Sequence, residues 1–138
     1  MWRERGYSVY LLDTNTLIYF FKGVGNVAAG ILSQSPKDIA IPSIALFEIE
    51  VGLAKSNHPA KRREQLDMLC SRIAVVPFDR EAAKIAAKVR ACLENKGTPI
   101  GPYDTLIAGI ALHRKLTLIT HNTREFGRIA NLAVEDWF

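Results

Sequence analysis

Cysteine and histidine are scarce in this chain, two and three among 138 residues. Cys70 and Cys92 form no CxxC pair, and neither lies at zinc-ligand spacing from His58, His113 or His121. That excludes a disulfide-stapled scaffold and a zinc module, and leaves oxygen as the only donor for any metal. Both thiols are expected to be reduced and partly buried. No apolar run approaches the roughly 20 residues that cross a bilayer. The opening "MWRERGYS" is charged and does not resemble a secretory leader, so the expected compartment is the cytoplasm, with no membrane partner. Repeats, low-complexity tracts and long linkers are also missing. Residues 1–138 therefore read as a single domain.

What is present is an ordinary globular composition, 49% hydrophobic and 23% charged, with a net charge of +4. The mild positive excess is compatible with a polyanionic partner and demands none. Apolar runs alternate with amphipathic ones. Residues 8–12, 38–42, 73–78, 116–120 and 133–137 read as strands. Helices are expected over about 15–22, 25–34, 43–56, 59–71, 80–96 and 102–114. Ser43 and Asp79 are candidate N-caps, Gly97 a helix stop, and Pro102 a first-turn residue. Strands separated by helices predict an α/β fold, a mostly parallel sheet of four to five strands flanked by helices, with ligands beyond the carboxyl ends of the strands.

Three acids fall at such ends. In "VYLLDTNTLIYFF" the buried run stops at Asp13, and Thr14, Asn15 and Thr16 follow. An N-cap is one reading of Asp13, worth about 1 kcal/mol, and a site carboxylate is the other. Glu48 shares a helical face with Ile44, Ala45, Val51 and Gly52, where an unpaired charge is costly to desolvate. The opposing reading puts it at the edge of the apolar stripe. Asp104 sits in the first turn of an otherwise apolar helix, "GPYDTLIAGIAL". It suits the helix dipole and equally a site at the sheet edge. An oxygen-only set of acids is the donor chemistry of Mg²⁺ or Mn²⁺, and points to hydrolysis of a phosphodiester.

The stretches "LLDTNTLIYF", "IPSIALFEIEVGLAKS", "IGPYDTLIAGIAL" and "LTLITHNTREFGRIANLAVEDW" resemble, in order and spacing, the successive motifs of PIN-domain ribonucleases, and most closely the VapC group of toxins. The resemblance runs from about Tyr10 to Trp137 and implies a PIN-like sandwich. It also implies a Mg²⁺- or Mn²⁺-dependent endoribonuclease acting on RNA such as tRNA or rRNA, and a small VapB-like antitoxin. The family's first three acids fall on Asp13, Glu48 and Asp104, as catalytic residues and metal ligands. Many members carry a fourth acid where this chain has Asn122, which is placed to orient water or phosphate beside Thr120. Glu125 is a substitute acid or a surface residue.

Thr14, Asn15, Thr120, Arg124 and Arg128 are expected to contact substrate, with Thr14 and Asn15 also steadying Asp13. Two other basic groups, Lys61–Arg63 and the Arg80, Lys84, Lys88 stripe, read better as solvated faces. A homodimer is expected through Ile31, Leu32, Leu53 and Leu69. The antitoxin is expected in a groove between helices 43–56 and 59–71, against Ile44, Phe47, Val51 and Leu66. Two rivals stand beside this reading. A haloacid dehalogenase-like phosphatase would need a second Asp where Asn15 stands, and a non-catalytic RNA-binding PIN-fold protein would not need all three acids.

Overall fold

The computed structural model describes residues 9–138. The charged opening and Ser8, the expected start of the first strand, lie outside the described residues. Among the described residues there are five strands: β1 (Tyr10–Leu12), β2 (Ile39–Pro42), β3 (Ala74–Val76), β4 (Thr117–Ile119) and β5 (Val134–Glu135). They are joined in the order β3-β2-β1-β4-β5, every pair parallel. Seven α-helices connect them: α1 (Thr14–Lys22), α2 (Val27–Leu32), α3 (Ser43–Lys55), α4 (Ala60–Cys70), α5 (Arg80–Asn95), α6 (Pro102–Arg114) and α7 (Thr123–Phe126). A single 3-10 turn, Pro36–Asp38, leads into β2.

Both faces of the sheet are covered, which is why its strands are apolar without alternation. Leu11, Ala40, Val76 and Leu118 point into one core, shared with α5, α6 and α7. Leu12, Ile39, Ile41 and Ile119 point into the other, shared with α1 to α4. Gly109 lets α5 and α6 close up, since a Cβ there would stand 2.7 Å from both the Ala82 carbonyl and the Ala86 Cβ. Gly97 takes the left-handed conformation, φ 73°, that ends α5.

Several local expectations change. Ser43 is the first residue of α3 rather than its cap; its hydroxyl instead accepts the Phe78 N–H, tying α3 to the segment after β3. α2 is shorter than expected at both ends, and it starts later because Gly25, with a left-handed φ of 66°, lies outside the helical path. Cys92 lies on the solvent side of α5 and is exposed, while Cys70 is half-buried. Ile31, Leu53 and Leu66 are core residues, each under about a tenth exposed, so they cannot form the dimer or antitoxin surfaces proposed for them. Leu32 at 76% and Phe47 at 50% exposure remain open. No helix among the described residues is long and apolar enough to cross a membrane.

Candidate functional site

The parallel order places β1 in the middle of the sheet, and Asp13 is the first residue beyond its carboxyl end. Its side chain is 3% exposed. One carboxylate oxygen caps α1 by accepting the Thr16 N–H at 2.8 Å. The other accepts the Thr120 hydroxyl at 2.6 Å, from just past the end of β4. Thr120 in turn accepts the Asn122 N–H at 3.0 Å, so one buried hydroxyl links the two loops at the strand ends. The Thr16 hydroxyl donates to the Ile119 carbonyl at 3.0 Å and pins α1 to β4. The cap and the site are thus the same carboxylate, and capping does not compete with a functional role. Burial pushes the Asp13 carboxyl above the usual carboxylate range, against the pull of the Thr120 and Thr16 hydrogen bonds.

Glu48 lies at the edge of the buried stripe of α3, which consists of Ala45, Ile49 and Leu53. It is half-buried, and the Thr14 hydroxyl donates to its Oε1 at 2.6 Å. Thr14 therefore positions Glu48, where it had been expected to steady Asp13. Asn15 is exposed on the first turn of α1 and the steadying of Asp13 falls to Thr16.

Asp104, in the first turn of α6, is half-buried. Its carboxyl is pushed up to about 6, by burial first and then by the negative charges of Asp13, Glu48 and Glu125. Acids from the end of β1, from α3 and from α7 thus lie near enough to Asp104, at the carboxyl edge of the sheet, for their charge to bear on it. Glu125 belongs to this group. Its carboxylate accepts the Asn122 side-chain N–H at 3.3 Å. Asn122 and Glu125 together occupy the place where sequence alone left a choice between them. α7, absent from the sequence reading, presents both.

Among the described residues, no three His, Cys, Asp or Glu side chains stand close enough to hold a metal ion as they are placed. The chemistry of the donor set nevertheless fits a hard divalent cation. Every donor is oxygen, and a bound cation would offset both the burial and the neighbouring negative charges that raise Asp104.

Positive charge lies to one side. A groove of about 810 Å³ between α1, α3 and α4 contains Glu48 together with Lys22, His58, Lys61 and Arg62. Lys61 and Arg62 thus share a groove with Glu48, although sequence favoured a merely solvated face. Arg63 turns away into a paired contact with Glu50. Arg124 is exposed beside Asn122, and Arg128 donates to the Pro99 carbonyl at 3.1 Å, bracing the loop before α6. A second, apolar groove of about 500 Å³ runs between α1, α2 and α4, past Phe20, Leu32, Met68 and Leu69. It shares Phe21 and Gln65 with the first.

The PIN domain family matches this chain over residues 10–132. The tRNA(fMet)-specific endonuclease VapC of Salmonella typhimurium is 38% identical over 128 residues, covering 93% of this chain and 97% of that protein. The crystal structure of DNA-bound VapBC from Salmonella typhimurium superposes with a TM-score of 0.88 at 37% identity, over 95% of this chain and 99% of that one. VapBC2 of Rickettsia felis, bound to a DNA fragment from its promoter, superposes with a TM-score of 0.85 at 35% identity, covering 94% and 98%.

Proposed function

Because the chain belongs to the PIN domain family, we propose that it is an endoribonuclease toxin of the VapC kind, restrained by a VapB-like antitoxin. What supports this reading is the approach of Asp13, Glu48, Asp104 and Glu125 to one another at the carboxyl edge of the sheet, with Asp13 just past the end of the central strand. A phosphatase of the haloacid dehalogenase type is set aside by family membership and by Asn15, which is exposed where that chemistry needs a second acid.

Asp13, Glu48 and Asp104 would hold Mg²⁺ or Mn²⁺, with Glu125 or Asn122 completing the set. When bound, such a cation draws charge off the scissile phosphate and makes water a competent nucleophile near neutral pH. The chain's own residues prepare this arrangement. Thr120 and Thr16 hold both Asp13 oxygens in place, and Thr14 does the same for Glu48. Water attacks phosphorus, the phosphorus–oxygen bond to the neighbouring ribose breaks, and the departing oxygen takes up a proton.

Lys22, Lys61 and Arg62 line a path along which the RNA backbone approaches Glu48. Asn15, Asn122 and Arg124 are further contacts on this reading, with Arg128 bracing the loop before α6. Thr120 and Thr14, expected from sequence to contact substrate, are buried with their hydroxyls on Asp13 and Glu48 and position those acids instead. A tRNA-like substrate follows from the relative named as tRNA(fMet)-specific. The antitoxin tail fits the joined grooves: apolar side chains against Phe20, Leu32 and Met68, then a basic residue reaching the acids. Leu32 and Met68, 76% and 57% exposed, are among the exposed apolar residues open to a homodimer.

The test is cleavage of RNA by purified chain with Mg²⁺ or Mn²⁺, with EDTA, and by Asp13→Asn, each with and without the co-expressed neighbouring small protein. Cleavage that survives EDTA, or survives Asp13→Asn in material free of contaminating nuclease, overturns the reading. A neighbour that neither binds nor inhibits removes the toxin half of it.

A further inference from the structure

Phe47 and Tyr103 are 50% and 44% exposed, and their ring centroids are 5.8 Å apart at an interplanar angle of 73°. Isolated exposed aromatics need no explanation, but this is a pair built from two different helices. Phe47 immediately precedes Glu48 on α3, and Tyr103 immediately precedes Asp104 on α6. Each ring is therefore carried on the same helical turn as a site carboxylate, and the edge-to-face contact spans the gap between those turns. Phe138, the other exposed large aromatic among the described residues, already has its face stacked on His121 at 4.2 Å. The outer surfaces of Phe47 and Tyr103 face solvent.

We propose that Phe47 and Tyr103 form a stacking subsite for one unpaired nucleobase adjoining the bond that is cut. The proposal rests on the ribonuclease reading above and adds to it a substrate preference: the nucleotide beside the scissile phosphate must be unstacked. The acids deal with a phosphate, and the cationic groove tracks a backbone. Neither feature engages a base. An uncharged aromatic surface next to carboxylates repels no base and attracts no phosphate, so it selects the planar part of the nucleotide. Stacking on an aromatic side chain tolerates any base and contributes about tenfold in affinity per base. A second copy of this chain is the competing occupant of such a surface, and it predicts a change in mass rather than in base dependence.

The experiment uses the full chain and single-stranded oligoribonucleotides spanning one cleaved bond, with each flanking nucleotide in turn intact or abasic. Phe47→Ala and Tyr103→Ala are expected to raise KM about tenfold while leaving kcat within about twofold, since stacking acts equally before and during the reaction. Phe47→Trp and Tyr103→Phe are expected to restore the parent KM. At one flanking position the abasic substrate should cost the parent about the same tenfold, and cost Phe47→Ala nothing more. Circular dichroism matching the parent's, with any fall in melting temperature limited to the few degrees that a half-buried ring and its edge-to-face contact account for, separates this result from misfolding. Effects of Phe47→Ala and the abasic positions that simply multiply, with the parent active, overturn the subsite alone. So does a variant whose solution mass is half the parent's, which makes the patch an interface between copies. A parent that cleaves no RNA overturns the ribonuclease reading, and the subsite with it.

Discussion

Replacing Asp104 by Asn should stabilise the metal-free protein while destroying its cleavage activity. In the folded chain the Asp104 carboxyl is pushed from 3.8 up to about 6, by burial and by Asp13, Glu48 and Glu125. The folded state therefore holds the Asp104 proton more tightly than the unfolded chain does. Between about pH 4 and pH 6 the unfolded carboxyl ionises before the folded one, so folding loses stability as pH rises through that window. Above about pH 6 the loss is complete and constant. One pKa unit corresponds to 1.36 kcal/mol, which makes about 3 kcal/mol the ceiling for a shift of this size. Asp104 is only half-buried, and solvent screening reduces the expected gain to about 1–2 kcal/mol. For a chain of this size that is an increase of about 4–8 °C in melting temperature. Thermal unfolding in EDTA at pH 4, 5, 6 and 8 would measure it: parent and Asp104→Asn should nearly coincide at pH 4 and separate fully by pH 8. A difference that is flat across pH, or largest at pH 4, would refute the charge-repulsion account. Mn²⁺ at pH 8 should close the gap by stabilising the parent selectively.

Further outcomes follow from the threonines. Thr120→Val removes the hydroxyl that donates to Asp13 and accepts from Asn122, leaving buried polar groups without a partner, and should cost about 1–3 kcal/mol in urea unfolding together with most of the activity. A variant as stable as the parent would contradict the buried relay. Thr14→Val frees Glu48 in a half-buried setting, so stability should fall by about 1 kcal/mol or less while the Mn²⁺ concentration needed for half-maximal cleavage rises severalfold. If the metal requirement is unchanged, Thr14 does not position Glu48 for binding. Asp13→Asn keeps an acceptor for the Thr16 N–H and should retain the parent's circular dichroism while losing cleavage.

The central strand, the parallel order and the long helices were legible because their signals are local: unbroken apolar runs, Asp79 and Gly97 at the ends of α5, Pro102 at the start of α6. Asp13 and Asp104 stood out for the same reason, since one follows β1 and the other lies in the first turn of α6. Glu48 lies in the middle of α3, and only its place beside an apolar face marked it. What escaped was tertiary. A four-residue helix such as α7 has no periodicity to read, so Glu125 looked like surface until its turn placed it beside Asn122. Thr14 and Thr16 are alike as sequence, yet α1 aims one at Glu48 and the other at Asp13 and Ile119. Leu53 and Leu66 were assigned to surfaces because a helical wheel cannot show where a neighbouring helix lies.

The same physics explains why the site sits where it does. A buried sheet edge supplies helix N-termini and strand-end hydroxyls, and these donors let Asp13 remain in place at 3% exposure. They do not offset the cost of an ionised Asp104, whose carboxyl is raised by burial first and then by the charges of Asp13, Glu48 and Glu125. Charge that the fold leaves unneutralised is available to an added cation, whether a metal ion or a basic side chain of an antitoxin. On the proposed reading, metal activation and antitoxin inhibition compete for this one electrostatic defect. A variant that removes the defect, such as Asp104→Asn, should weaken both, so its affinity for the antitoxin should fall alongside its response to Mn²⁺. Unaltered antitoxin affinity in a titration of Asp104→Asn would place the inhibitor's hold entirely in the apolar groove of Phe20, Leu32 and Met68.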